Sequence, residues 1–146
     1  METFTEKRFS KPMEVGLDAK NKVIGVIKDI LFSMDTICFA YIHGSFIKSP
    51  SFRDIDIGVF VEGRTNFIFE SDLSFRLTSA VGFPVELKAI NEAPVPFQMA
   101  VIRDGVLLFC RDEIRRADFI ESVGKRYREY AHFRNIFLGI DGVRQG

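Results

Sequence analysis

The sequence predicts a protein of the α/β or α+β class, with a mixed, twisted sheet of about four or five strands and helices packed mainly on one face. Short apolar runs typical of strands alternate along the chain with segments whose apolar residues recur at helical spacing. The length of 146 residues is usual for one domain, and the hydrophobic and charged contents, 47% and 27%, are those of a globular protein. We therefore treat residues 1–146 as a single domain.

The helical segments are identified by apolar residues that fall on one stripe. They span about residues 14–34, 66–81, 94–102 and 113–139, the last being a C-terminal helix. Thr65 or Asn66 is suited to cap the second helix, and Gly82 stands in the usual place of a C-terminal glycine. About residues 1–12 are expected to be a loosely held N-terminal segment.

The segments between these helices are predicted to be strands. They span about residues 37–42, 54–61, 84–90 and 106–110. In the second of them, apolar residues alternate strictly with Asp54, Asp56 and Gly58, which indicates a strand with one buried face. Strand order and direction do not follow from this pattern.

Charge and composition exclude several classes of function. Basic and acidic residues number 20 each, so the strongly basic surface of a general nucleic-acid-binding protein is not expected. No apolar run approaches the ~18 residues of a membrane span, and no signal peptide is recognised, so we expect a cytoplasmic protein without membrane contact. Cys38 and Cys110 have no metal or disulfide spacing and are expected to be buried, reduced thiols.

Two aspartates form the first candidate for a chemical site. Asp54 and Asp56 are two residues apart on one predicted strand, so their carboxylates share a face, roughly 7 Å apart at the backbone. Such carboxylates beside an apolar core repel each other, and a divalent cation relieves the repulsion. Glu86 is the natural third acid if its strand neighbours theirs. Oxygen ligands of this kind suit Mg²⁺ or Mn²⁺.

A Gly-Ser pair precedes the aspartates. Gly44 and Ser45 follow a predicted strand, where glycine lets a phosphate approach the backbone and the serine hydroxyl can hydrogen-bond it. Lys48 and Arg53 are close in sequence and could add positive charge. The pair and the aspartates together therefore indicate a site for a nucleotide and a metal ion.

Each of these residues also has a plainer interpretation. Asp54 and Asp56 could be the solvated face of an edge strand. Glu86 could be a surface acid paired with Lys88, and Ser45 could be only a helix cap. The aromatic residues of the C-terminal helix fit a core or an interface.

The run from His43 to Phe46, followed by the run from Arg53 to Ile57, resembles the signature of the DNA polymerase β-like nucleotidyltransferases. The similarity is greatest to the minimal nucleotidyltransferases of bacteria and archaea, and it covers about residues 20–135. The resemblance implies that the Gly-Ser pair contacts the triphosphate. It also implies that the two aspartates hold magnesium and that Glu86 completes the metal site.

The resemblance further implies an activity and partners. Enzymes of this family transfer a nucleoside monophosphate, commonly AMP from ATP, to a hydroxyl of an acceptor. Minimal members act in toxin–antitoxin systems with a HEPN-domain ribonuclease, and such an antitoxin can neutralise its toxin by transferring AMP to a tyrosine. The expected partners are therefore a nucleoside triphosphate and a HEPN protein. The aromatic C-terminal helix would suit such a protein partner or, alternatively, a second copy in a homodimer.

The sequence departs from the family pattern at three points. The segment between Gly-Ser and the aspartates is shorter by about two residues, Ser49 is nearest the place of a second glycine, and Glu86 stands where aspartate is usual. An extra methylene can displace a reacting group by ~1 Å, which costs rate heavily. Two alternatives therefore stay open. One is an enzyme acting on a small molecule such as an aminoglycoside, and the other is a non-catalytic module that binds a nucleotide or a partner.

Overall fold

A computed structural model describes residues 11–139 of the chain. The strands are β1 (Met13–Glu14), β2 (Ile37–His43), β3 (Ser51–Phe52), β4 (Ile55–Val61), β5 (Val85–Ala89) and β6 (Val106–Cys110). The helices are α1 (Leu17–Phe32), α2 (Ser45–Lys48), α3 (Phe67–Val81), α4 (Val95–Asp104) and α5 (Glu113–Phe137). The N-terminal segment predicted to be loosely held lies almost entirely outside the described residues.

The main sheet has four strands in the order β5-β4-β2-β6. Strand β2 is antiparallel to both of its neighbours, β4 and β6, whereas β4 and β5 are parallel. The predicted fold class, a mixed sheet combined with helices, is therefore confirmed. A separate antiparallel pair, β1 and β3, was not predicted, and it takes residues 13–14 out of the first helix, which begins at Leu17.

Helix α3 begins and ends at the capping residues that the sequence predicts. The side-chain oxygen of Asn66 accepts a hydrogen bond from the backbone N–H of Phe69 at 2.9 Å. At the other end, Gly82 adopts φ 80°, a left-handed conformation that favours glycine.

Among residues 11–139, no helix is long and apolar enough to cross a bilayer.

The helices cover both faces of the sheet, which corrects the prediction of helices mainly on one face. Helices α1 and α3 pack on the face that contains Ile55, Ile57 and Val59 of β4. Helices α4 and α5 pack on the opposite face, against Phe39 and Tyr41 of β2. The reason is that β2 is buried along nearly its whole length, so its apolar side chains need a helical layer on each side.

The outer edge of β5 is covered by side chains of α3. Three backbone N–H groups that alternate along β5 donate to three side chains that recur every four residues along α3. The bonds join Val85 N to Thr78 Oγ1 (2.9 Å), Leu87 N to Ser74 Oγ (2.9 Å) and Ala89 N to Glu70 Oε2 (2.7 Å). The spacings match because four helical residues rise about 6 Å and two strand residues about 6.6 Å. The edge strand is thereby fixed in register against the helix.

We expect Ser74→Ala to lower the free energy of unfolding by about 1–3 kcal/mol, because it leaves the buried N–H of Leu87 without its acceptor. The matched control is Ser79→Ala, an exposed position on the same helix, for which a change within about 0.5 kcal/mol is expected. Urea denaturation of both variants measures the difference. Equal losses would contradict a structural role for this bond.

Candidate functional site

Three carboxylates meet where β4 and β5 begin. Asp54 lies directly before β4, Asp56 lies within it, and the parallel register places Glu86 of β5 opposite Asp56. One ligand oxygen from each residue lies within 4.8 Å of the other two, and all three residues are half-buried. Because β4 is a central strand, the alternative that the aspartates belong to an edge strand is wrong. An all-oxygen cluster of this size can hold a divalent cation.

Gly44 lets the turn after β2 approach this cluster closely. Its φ is 83°, and a Cβ atom at this position would lie 2.3 Å from Oδ2 of Asp56. The residue before it, His43, is paired with Asp56 across β2 and β4. Three neighbouring strands therefore present His43, Asp56 and Glu86 in one row. Ser45 follows as the first residue of α2, whose N-cap is Gly44, so Ser45 is not itself the cap.

The carboxylates lie between two cavities. A cavity of about 350 Å³ is lined by Ser45, Arg53 and Asp54, together with three further residues, which are Pro12, Ser51 and Phe52. A second cavity, of about 220 Å³, is lined by Asp56, Glu86 and four further residues, which are His43, Ile57, Lys88 and Phe97. A larger cavity, of about 480 Å³, lies beside the β4–α3 loop and contains none of the predicted site residues. We place the chemistry at the two smaller cavities because they contain the carboxylates.

Of the two basic residues predicted to bind the nucleotide, Arg53 lines a cavity beside the carboxylates and Lys48 pairs with another acid. Arg53 lines the cavity on the Ser45 side, but Lys48 forms an ion pair with Asp104 at 3.5 Å. Hydrogen bonding from Arg103 and the nearby charge of Lys48 lower the pKa of the Asp104 carboxyl. Lys88 lies 3.8 Å from Glu86, so the pairing considered from the sequence is present and coexists with the carboxylate cluster.

One wall of the second cavity is aromatic and was not predicted. His43 and Phe97 pack edge to face, with ring centroids 5.6 Å apart. Burial, and secondarily the charge of Lys48, lowers the pKa of His43, which favours a neutral imidazole. The position of His43 directly before Gly44 was a usable signal for its place in the site. The sequence contained no signal for Phe97, because this residue reaches the site only through the packing of α4.

A model described as Polymerase beta, Nucleotidyltransferase matches residues 26–114, which is more than half of the chain. The chain therefore belongs to this nucleotidyltransferase family, and both the resemblance and the predicted enzyme class are confirmed. None of the curated protein sequences is significantly similar to the chain.

Minimal nucleotidyltransferase (MNT) antitoxins of known structure share the fold. The structure of the tri-AMPylated Shewanella oneidensis HEPN toxin in complex with MNT antitoxin contains a chain 23% identical to this one (TM-score 0.64; 86% of this chain and 95% of that chain covered). The toxin–antitoxin MntA–HepT gives 23% identity (TM-score 0.64; 88% and 98%). A toxin–antitoxin structure with AMP-PNP gives 24% (TM-score 0.67; 85% and 97%). At these identities the likeness establishes the fold.

We expect Gly44→Ala to displace the Asp56 carboxylate and so weaken Mn²⁺ binding at least about tenfold. The added methyl group would lie 2.3 Å from Asp56 Oδ2, so the carboxylate must shift, and a shift changes its position relative to Asp54 and Glu86. The matched control is Gly63→Ala, since Gly63 has the same positive φ (82°) but open space around the new methyl group. Titration with Mn²⁺ compares the two. Equal affinities would rule out the close approach as a requirement.

Proposed function

We propose that the chain is a metal-dependent enzyme that transfers AMP from ATP to a tyrosine hydroxyl of a HEPN-domain partner, and so acts as an antitoxin. The observation that carries this proposal is the cluster of Asp54, Asp56 and Glu86 directly beside the Gly44–Ser45 turn. Membership of the nucleotidyltransferase family supports the reaction class. The nucleotide, the metal and the acceptor are the parts that need experiment.

The donor set fits Mg²⁺ or Mn²⁺. Asp54, Asp56 and Glu86 contribute only oxygen atoms, lie within 4.8 Å of one another and would repel each other without a cation. Glu86 stands in for the usual aspartate, and the parallel register still brings its carboxylate to the pair. When bound, a divalent cation would neutralise phosphate charge and lower the pKa of an attacking hydroxyl.

The triphosphate is assigned to the cavity on the Ser45 side. The Ser45 hydroxyl and the backbone N–H groups after Gly44 donate hydrogen bonds to phosphate oxygens, and Arg53 adds a positive charge at the same cavity. Lys48 supports phosphate binding less directly, because its ammonium group is shared with Asp104. These groups hold the α-phosphate next to the carboxylates, so catalysis comes mainly from positioning and charge neutralisation.

The acceptor is assigned to the cavity that contains Glu86. His43 and Phe97 provide an aromatic wall there, and Glu86 accepts the proton of the entering hydroxyl. The hydroxyl oxygen then bonds to the α-phosphorus while the bond to the bridging oxygen breaks and pyrophosphate leaves. A cavity of about 220 Å³ is smaller than the 300–1,000 Å³ usual for drug-sized ligands, which favours a single side chain over an aminoglycoside.

Several observations support a HEPN partner. The similar structures include a tri-AMPylated HEPN toxin and a complex with AMP-PNP. The end of α5 exposes apolar side chains, including Phe133 and Phe137, which fit a protein partner or a second copy in a homodimer.

We also propose that the protein acts in the cytoplasm. The free thiols of Cys38 and Cys110 fit this reducing compartment.

The first test is calorimetric titration of Mg²⁺–ATP into the wild type and into the double variant Asp54→Asn/Asp56→Asn. We expect binding to disappear in the double variant, and transfer of label from [α-³²P]ATP to fall at least about a hundredfold. Asp72→Asn removes an exposed acid from α3 and should behave as the wild type. Equal binding in all three proteins would overturn the site. Binding without transfer to any acceptor would favour a non-catalytic module.

The second test concerns the acceptor. We expect labelling of tyrosine peptides but not of matched serine peptides, and Phe97→Ala should raise the KM for the tyrosine peptide about five- to tenfold through loss of an aromatic contact. The affinity for Mg²⁺–ATP should not change. Two variants serve as controls. Phe97→Leu removes the ring but preserves core packing, so it separates the loss of the aromatic contact from a loss of packing. Phe75→Ala removes an exposed ring elsewhere and reports any general effect of losing an aromatic side chain. Labelling of an aminoglycoside in place of tyrosine would establish the small-molecule function.

A further inference from the structure

Lys20 of α1 reaches the loop that joins β2 to β4. Its ammonium nitrogen donates hydrogen bonds to the backbone carbonyls of Phe46 at 2.6 Å and Ser49 at 2.9 Å. The same nitrogen lies 5.1 Å from the ring centroid of Phe46 and 5.6 Å from that of Phe52. Both rings are fully buried. One side chain from outside the loop therefore contacts it at both ends of its helical turn.

The carbonyl of Phe46 lacks its helical donor because of the residue at position 50. Helix α2 is a single turn in which Ser49 N donates to Ser45 O at 2.9 Å. The next bond of that helix would run from residue 50 to Phe46, but Pro50 has no N–H group. Ser49 is already extended, with φ −128° and ψ 149°, as a residue before proline prefers. The helix ends here and leaves carbonyls that need another donor.

We infer that Lys20 is a positioning residue that supplies this donor and holds Ser45 towards the triphosphate cavity. An ammonium group has three N–H donors, and two of them satisfy the carbonyls at the end of α2 while the charge lies over the aromatic rings. The inference depends on the proposed function in one respect, which is that Ser45 binds phosphate. Lys20 itself does not line either cavity beside the carboxylates.

The side chain chosen for the test removes the donors and keeps the packing. Lys20→Met retains an unbranched apolar stem over Phe46 and Phe52 but has no N–H group. Lys20→Arg retains a charge and several donors. Lys22→Met is the matched control, since Lys22 is exposed two residues further along the same helix.

Three measurements on each variant test the inference. Amide hydrogen exchange without nucleotide reports the order of the loop, and we expect faster exchange at residues 45–49 in Lys20→Met than in the wild type and Lys22→Met. Titration with Mg²⁺–AMP-PNP should show an affinity about tenfold weaker in Lys20→Met, as expected for lost charged hydrogen bonds. Mn²⁺ binding in the absence of nucleotide should stay within about twofold, since Asp56 and Glu86 are on β4 and β5 and Asp54 lies directly before β4, outside the helical turn that Lys20 contacts. Lys20→Arg should lie closer to the wild type than Lys20→Met.

The outcomes separate this inference from the proposed function. Unchanged exchange at residues 45–49 in Lys20→Met would overturn the inference, whether or not nucleotide binds. Faster exchange with unchanged nucleotide affinity would overturn the link from the loop to phosphate binding. A parallel loss of Mn²⁺ and nucleotide binding would indicate general destabilisation and also count against it. Failure of the wild type to bind Mg²⁺–AMP-PNP would refute the proposed function, while the exchange data would still decide whether Lys20 orders the loop.

Discussion

The position of Glu86 depends on hydrogen bonds made by its two neighbours in β5. The N–H groups of Val85 and Leu87 are bound by Thr78 and Ser74 of α3, so the helix fixes the edge strand in one register. A slip by one residue would turn every side chain of the strand to the other face and would replace the carboxylate by an apolar side chain. The third acid therefore reaches the aspartates because pairing with β4 on one side and hydrogen bonds to α3 on the other hold β5 in a single register.

The site that results holds like charges together. Three half-buried carboxylates within 4.8 Å of one another repel each other when they are ionised. The fold nevertheless brings them together, because Asp56 and Glu86 are opposite each other on paired strands and Asp54 lies directly before β4. Lys88 offsets part of this repulsion at 3.8 Å from Glu86, and the missing side chain of Gly44 leaves room for Asp56. Any cation that binds the folded protein more tightly than the unfolded chain would in turn stabilise the fold.

The sequence predicted what depends on local pattern. Strict alternation identified β4. The caps of α3 at Asn66 and Gly82 were correct because each depends only on that residue and its near neighbours in the chain. Pattern alone could not assign helices to faces, because β2 is apolar on both sides and gives no preference. The contact of Glu86 with the aspartates depended on strand order, which periodicity does not contain. The pairing of Lys48 with a distant acid was invisible for the same reason.

The two cavities that flank the carboxylates have no lining residue in common. A donor nucleotide in one and an acceptor side chain in the other would therefore approach the cluster by different routes, and neither would block the entry of its counterpart. In kinetic terms, such an arrangement suits a sequential mechanism in which a ternary complex assembles in either order. In the proposed reaction, either the partner or the nucleotide could then bind first, and transfer would occur only once both are bound. Because the acceptor hydroxyl would attack the α-phosphate directly, no nucleotidylated form of the enzyme would accumulate during turnover.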